Sequence, residues 1–414
     1  MYIDSIRLEN FRTFREAEIQ LVHPDQDFEA LKIPTPKLRN VNLVLGSNGL
    51  GKSAFLKGIA LAALGPAVGD AGIYPYRLVR RDDKLKKKKH ADTALIKARF
   101  RPHAQDHVPA RVKSLVSDIA VQRKGDLETL QWRAREERAW HPIYQADTDA
   151  LFFVGYGANR RVERRESLDM AARGASAFAR AQRIRSLFEE TYSLVPLNSW
   201  LPSFERSNKG RYTQVRNLIN QLAGEEHFRF TGEMEDGEYL FERGGLRVPF
   251  PALSDGYRAF LGWIGDLLFH VCMTCPSGKK LVDNRGIVMV DEIDLHLHPK
   301  WQMTVVPTLA AVLPNLQFIV TTHSPLIVGS LEWMNLIVME SAEAESSVPR
   351  RYVEPVHGLD ADQVLLTDFF GMTSTQAGEK DAKLNDLTNK ARQGDLDAAR
   401  TLMRTMAKGL EKAG

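Results

Sequence analysis

Residues 40–59 read Asn40-Val-Asn-Leu-Val-Leu-Gly46-Ser-Asn-Gly-Leu-Gly51-Lys52-Ser53-Ala-Phe-Leu-Lys-Gly-Ile59, and the fold turns on them. The apolar run Val41, Leu43, Val44, Leu45 predicts a buried strand. A glycine-rich turn follows, and from Ala54 an apolar helix to about Leu64. Strand, turn and helix match the phosphate-loop pattern G-x-x-x-x-G-K-[ST] in the setting that gives it meaning. Gly46, Ser47, Asn48, Gly49 and Gly51 form the cradle, whose backbone N–H groups turn inward around phosphate oxygens. The helix opening at Ala54 adds its positive dipole end. Lys52 reaches the β- and γ-phosphates, and the Ser53 hydroxyl holds Mg²⁺. The pattern implies ATP and Mg²⁺ as cofactors.

Bulk composition narrows little else. The chain has 414 residues, 43% hydrophobic and 26% charged, ordinary values for a chain with a real core. A formal charge of +4 says nothing general about partners. Two cysteines, Cys272 and Cys275, give no disulfide framework and fit a reducing compartment. The first residues lack a basic-then-apolar leader. No stretch approaches the roughly 18 apolar residues of a membrane span. The expectation is a soluble cytoplasmic protein with no membrane partner.

Taken in order, residues 2–22 alternate apolar and polar and predict two strands around Asn10-Phe-Arg-Thr-Phe14. Strands are expected at 94–100, 115–133 and 151–154. Residues 160–223 read as mostly helical with a break near Pro196–Pro202, and 228–250 as hairpins. A helix at Ser254–Cys275, a strand at Gly286–Val290, a helix at Trp301–Leu313 and a strand at Gln317–Thr321 follow. Residues 341–350 read as a polar loop, and helices are expected beyond Asp360.

Residues 287–292, Ile-Val-Met-Val-Asp-Glu, place two carboxylates at the tip of a central strand. Alone, a strand ending in Asp-Glu is often only a solvated turn. Beside a phosphate loop, Asp291 is positioned to bind Mg²⁺ through water. Glu292 is positioned to orient or deprotonate the attacking water. Leu253-Ser254-Asp255-Gly256-Tyr257-Arg258 opens a helix upstream. Asp294-Leu-His296-Leu-His298-Pro299 follows the Asp-Glu pair, and Ile319-Val-Thr-Thr-His323-Ser-Pro325 ends a strand.

With these pieces the chain resembles ABC-type ATPases of the RecF, SMC and OLD-like branch over residues 1–340. The resemblance implies an α/β fold, an ATPase head with a RecA-like mixed sheet core flanked by helices and an inserted helical lobe. It implies an N-terminal lobe at 1–158, a helical insertion with hairpins at 159–250, a C-terminal lobe at 251–340 and a helical tail at 341–414. Ser254, Asp255 and Gly256 look like the signature loop, which in the family reaches the γ-phosphate of a second head. Asp255 and Tyr257 depart from its commonest form. Asp294, His296 and His298 are similar to the D-loop. His323 is similar to the switch histidine, and Lys52 and Glu292 complete the catalytic set. Arg12 matches the arginine that approaches the nucleotide. Ile293 and Ser324 stand where transport ATPases carry Pro and Asp, which favours the RecF/SMC side. The family's Gln-containing loop falls on Gly155–Arg161, which has no Gln; Arg160 or Arg161 then contacts phosphate or the partner head, or is a solvated basic residue.

The implied activity is Mg-dependent ATP hydrolysis, with a second head as partner and a separately encoded effector, a nuclease or other toxin, gated in anti-phage defence or a DNA transaction. The alternative is an ATP-switched scaffold without nucleic-acid contact. The short tail after 341–350 leaves no room for the TOPRIM nuclease of OLD-family proteins. The 160–223 stretch stands where SMC proteins carry coiled coil, so a stand-alone head is expected. Two basic clusters, 77–90 and 160–185, each with eight Lys or Arg, could track a DNA or RNA backbone or form plain solvated faces. Cys272-Met-Thr-Cys275 lacks the further ligands that zinc needs.

Overall fold

The computed structural model describes residues 1–65, 67–70, 73, 77–81, 90–133, 137–145, 150–162, 179–223, 228–342, 346–372, 387, 390–391 and 395–410. Residues 1–357 form one compact unit and residues 358–414 a second. Along the first unit, β1 (Tyr2–Phe11) and β2 (Phe14–Gln20) make a hairpin, and β3 (Val41–Leu45) leads into α1 (Lys52–Leu64). Next come β4 (Thr93–Arg101), β5 (Leu115–Lys124), β6 (Leu127–Trp132), α2 (Glu137–Tyr144) and β7 (Phe152–Tyr156). The short strands β8 (Arg161–Val162) and β9 (Ser193–Leu194) pair in parallel. Helices α3 (Leu197–Ser207) and α4 (Lys209–Ala223) precede the antiparallel strands β10 (Phe228–Glu235), β11 (Glu238–Arg243) and β12 (Leu246–Pro249). Then follow α5 (Asp255–Thr274), β13 (Gly286–Val290), α6 (Pro299–Val312), β14 (Leu316–Thr321) and α7 (Pro325–Gly329). The unit ends with β15 (Leu336–Ala342) and β16 (Ser346–Arg350). The second unit contains α8 (Ala361–Leu365) and α9 (Leu396–Leu410).

Two sheets enclose the core. The first is antiparallel, in the order β2-β1-β4-β5-β6. Its strands alternate, with Ile6, Leu8, Ile96 and Ala98 buried on one face and Arg7, Glu9, Lys97 and Arg99 on the other, as a half-solvated sheet requires. The second runs β16-β15-β3-β14-β13-β7; all its strands are parallel except β16. Every residue of β3, β7, β13 and β14 is buried. Continuous apolar runs suit strands covered on both faces.

Helix α1 lies between the sheets. Its apolar residues point nearly all round; only Ser53 is exposed and Lys57 half-buried. Phe55 and Ile59 share one core with Leu8 and Phe11 of the first sheet and with Ile287, Met289 and Ile319 of the second. Pairing of Val290 with Val320, and of Thr321 with Val44, brings the C-terminal tips of β13, β14 and β3 to one edge. In sheets of this kind ligands bind outside that edge.

One local expectation is corrected. Residues 341–342 and 346–350 are strand, not loop: β15 runs to Ala342, and β16 occupies 346–350 with Glu340 opposite Val348. Their polarity suggests a turn, but tertiary hydrogen bonds override it. The Ser347 N–H donates to the Thr13 carbonyl at 3.0 Å, and the Arg15 N–H to Ser346 Oγ at 3.1 Å. These bonds tie β16 to the β1–β2 hairpin. Within 159–250, residues 163–178 and 224–227 lie outside the described residues.

Candidate functional site

The phosphate loop leaves β3 at Gly46 and enters α1 at Lys52, with Gly46, Gly49 and Gly51 all at positive φ. Gly51 is required twice over. Its φ is +89°, and a Cβ there would lie 2.2 Å from Thr13 Oγ1 in the β1–β2 turn. The hairpin turn therefore rests on the loop, which brings Arg12 to the same neighbourhood. Burial lowers the Arg12 guanidinium below its ordinary value, with Glu128 opposing. Ser47, Asn48 and Ser53 are exposed; Ala54 is buried under the first turn of α1.

Lys52 folds back on the loop. Its Nζ donates to the Gly46 carbonyl at 2.8 Å and the Ser47 carbonyl at 3.2 Å. Burial lowers its pKa, while Asp291, Glu292 and Asp294 act to raise it. The three carboxylates thus sit in the field of this amine.

At the tip of β13 the chain turns sharply. The Asp291 N–H donates to the Tyr156 carbonyl at 2.8 Å, and the Glu292 N–H to Thr321 Oγ1 at 2.7 Å. The Thr321 hydroxyl donates in turn to Asp291 Oδ1 at 2.5 Å. Thr322 Oγ1 donates to Asp294 Oδ1 at 2.6 Å, and the Thr322 N–H to the Val44 carbonyl at 3.2 Å. The Thr-Thr pair before His323 therefore joins the strands that carry the phosphate loop, the Asp-Glu pair and His323. Glu292 adopts φ +48°, outside the usual range of non-glycine residues. Half-buried His323 follows this pair directly. Thr321 and Thr322 were not singled out from sequence, although they flank His323 within the quoted motif.

Arg160 was one of two open candidates, and its place is internal. Its Nη1 donates to the Asp291 carbonyl at 2.5 Å and its Nη2 to the Glu292 carbonyl at 2.9 Å. Burial lowers its pKa to about 10 despite Asp291, Asp294 and Glu292 nearby. Arg161 is exposed.

The signature segment stands apart from the loop. Ser254 is the N-cap of α5, exposed, with no side-chain capping bond. Asp255 pairs with Arg258. A Cβ on Gly256 would lie 2.8 Å from the His296 carbonyl, so signature and D-loop segments touch within one chain. Among the described residues no hydrogen bond joins Ser254, Asp255 or Gly256 to residues 46–53. His296 has φ +66°, and His298 caps α6, its Nδ1 accepting from the Lys300 N–H at 3.3 Å.

Helix α5 is wired to β7 by a buried carboxylate, Asp266. It accepts the Tyr156 hydroxyl at 2.8 Å and the Val195 N–H at 2.8 Å, and lies 3.3 Å from His270 Nε2. Burial alone would raise this carboxyl; His270, the Val195 amide and the Tyr156 hydroxyl outweigh it and hold it below its ordinary value.

Of the basic clusters, residues 82–89 and 163–178 lie outside the described residues. Arg185 pairs with Glu189 at 2.7 Å, and Arg180 donates to the Gln145 carbonyl at 2.7 Å. Arg80 donates to the Thr13 carbonyl at 2.8 Å, and Arg160 is clamped on carbonyls, so arginines of both clusters already have protein partners. Cys272 and Cys275 are buried free thiols, and burial pushes Cys272 up to about 12. No group of three metal-ligating His, Cys, Asp or Glu residues occurs among the described residues, and no described helix is long and apolar enough to cross a membrane.

Comparison with known proteins agrees with this geometry. A family model described as "AAA domain, putative AbiEii toxin, Type IV TA system" matches residues 41–329. The Septu protein PtuA of Bacillus mycoides (strain KBAB4) is 25% identical over 376 residues, 90% of this chain and 45% of that protein. The "Retron Ec83 probable ATPase" of Escherichia coli is 33% identical over 106 residues, 26% of this chain and 20% of that protein. The chain thus spans less than half the length of these relatives. An SMC head solved bound to the C-winged helix domain of ScpA superposes with a TM-score of 0.51 at 15% identity, over 85% of this chain and 98% of that one. That likeness is one of fold, a head-like α/β architecture with a mixed sheet. With the matched span running from β3 through the Asp-Glu pair to the end of α7, the chain belongs to that AAA-domain family.

Proposed function

We propose that the chain is an Mg-dependent ATPase whose heads dimerise on ATP and gate a partner effector in an anti-phage defence module. The observation that carries this reading is the meeting of the phosphate loop, Asp291, Glu292 and the His323 strand at one sheet edge, cross-linked by Thr321 and Thr322. Similarity to the Septu protein PtuA and the retron ATPase supports the defence setting.

The site's chemistry follows from its residues. Phosphate oxygens of ATP enter the loop, and Lys52 exchanges the Gly46 and Ser47 carbonyls for them. The Ser53 hydroxyl and Asp291 carboxylate are hard oxygen donors of the kind Mg²⁺ selects, and bound Mg²⁺ would neutralise phosphate charge there. Glu292 takes a proton from the water that attacks the γ-phosphorus. His323 donates a hydrogen bond to the γ-phosphate. Ser254, exposed at the N-terminus of the long helix α5, offers an anion site to the γ-phosphate of a second head. Hydrolysis removes the shared phosphate and releases the pair, a ligand-driven switch.

Glu292→Gln tests the assignment. The variant should bind ATP as the unaltered protein does and turn over at least ~100-fold more slowly, the lower end for losing a general base. Unchanged steady-state hydrolysis would remove Glu292 from the mechanism.

A further inference from the structure

Arg160 touches the catalytic turn on one side and an empty space on the other. Its guanidinium fork binds the carbonyls of Asp291 and Glu292, and Nη1 also reaches the Gly157 carbonyl at 3.2 Å. The opposite flank borders a cavity of about 750 Å³. Across that cavity stand Asp255 and Arg258 of the first turn of α5, and His296. The side chain that holds the peptide of Glu292 thus lines the same cavity as residues of the signature and D-loop segments.

The turn needs holding. A non-glycine residue in the left-handed region is disfavoured and persists only where its surroundings fix it. The amide side is fixed by the Tyr156 carbonyl and Thr321 Oγ1. The carbonyl side is fixed by Arg160. We infer that Arg160 is a positioning residue for hydrolysis: it clamps the Asp291–Glu292 turn so that Glu292 faces the phosphate loop. The inference rests on the ATPase reading of the site. Two features separate it from a purely structural role. The amide-side bonds to the Tyr156 carbonyl and Thr321 Oγ1 and the buried strand β13 hold this edge independently of Arg160. The planar fork holds its donors to the two carbonyls in one rigid plane, a geometry that a flexible ammonium group does not fix.

The test compares Arg160→Gln, Arg160→Lys and Glu292→Gln with the unaltered protein, measuring ATP affinity by calorimetry, kcat by phosphate release, and the crystal structure of Arg160→Gln. The expected result is a kcat lowered roughly 100-fold in Arg160→Gln, the scale of a displaced catalytic group, with ATP affinity retained. Arg160→Lys should recover part of the rate, and the Glu292 turn should leave its left-handed conformation in the Gln variant. A wild-type kcat in Arg160→Gln, or an ATP affinity that falls in step with kcat, overturns the inference. If the unaltered protein and Glu292→Gln hydrolyse ATP equally, the reading of the site fails instead. The clamp is then judged on the crystal structure, where a Glu292 still near φ +48° overturns it.

Discussion

Thr321 shows how much of the site rests on single hydroxyls. It accepts from the Glu292 amide and donates to the Asp291 carboxylate, so one oxygen sets the backbone of Glu292 and the side chain of Asp291. Asp266 plays a comparable part for α5, and its ionisation has a measurable signature. The folded chain holds this carboxyl below its unfolded value of 3.8, so folding favours the charged form. That stability is present above 3.8 and is lost as pH falls through the lower folded value. Asp266→Asn should therefore flatten the decline of unfolding free energy below about pH 4, and lose about 3–5 kcal/mol at pH 7 by breaking a buried charged network. Urea titrations at several pH values measure both, and an unchanged acid slope would exclude Asp266 as the linked group. Sequence exposed these residues unequally. Lys52, Asp291 and Glu292 are legible because loop and strand tip allow few residue types at fixed spacing. Asp266 and His270 are legible in hindsight, as a lone acid and base one turn apart in an apolar helix. The partners of Arg160 were not legible, because it binds backbone carbonyls, and carbonyls leave no residue-type signal.

At the scale of elements, the β1–β2 hairpin and the phosphate loop act as one piece. Gly51 is where they touch, so Gly51→Ala brings a methyl against Thr13 Oγ1 and forces a left-handed alanine. The expected loss is about 1–3 kcal/mol for the strained backbone. A larger effect is expected on ATP binding, because loop or hairpin must move. Calorimetric ATP titration beside a thermal melt separates the two, and full ATP affinity in the alanine variant would show that the contact does not shape the loop. The central strands were readable as apolar runs with turn signals. The β15–β16 hairpin was not. Its Ser-rich second strand looks like a loop until the bonds to Thr13 and Arg15 are seen, and those partners lie more than three hundred residues away. Long-range pairing of polar strands leaves almost no local trace.

For the whole molecule, the proposed dimer makes Ser254 decisive. It is exposed at the start of α5 and makes no capping bond of its own. On a Glu292→Gln background, Ser254→Arg should leave ATP binding by single heads intact and abolish ATP-dependent dimerisation in sedimentation velocity. A dimer that still forms would take the signature role away from this segment. Fold class was legible at this scale because the order of phosphate loop, signature segment, Asp-Glu pair and switch histidine is itself a topology. The way the two sheets close on α1 was not, since a helix that is apolar nearly all round does not say what covers it. That closure has a consequence for amide hydrogen exchange. The mid-helix N–H groups of α1 bond within the helix, and neither sheet leaves them a path to water. They should exchange only when the sheets separate, at the rate set by global unfolding, whereas the exposed first turn of α5 should exchange by local fraying. The helix behind the phosphate loop and the proposed trans-acting edge should thus lie at opposite ends of the molecule's range of local stability.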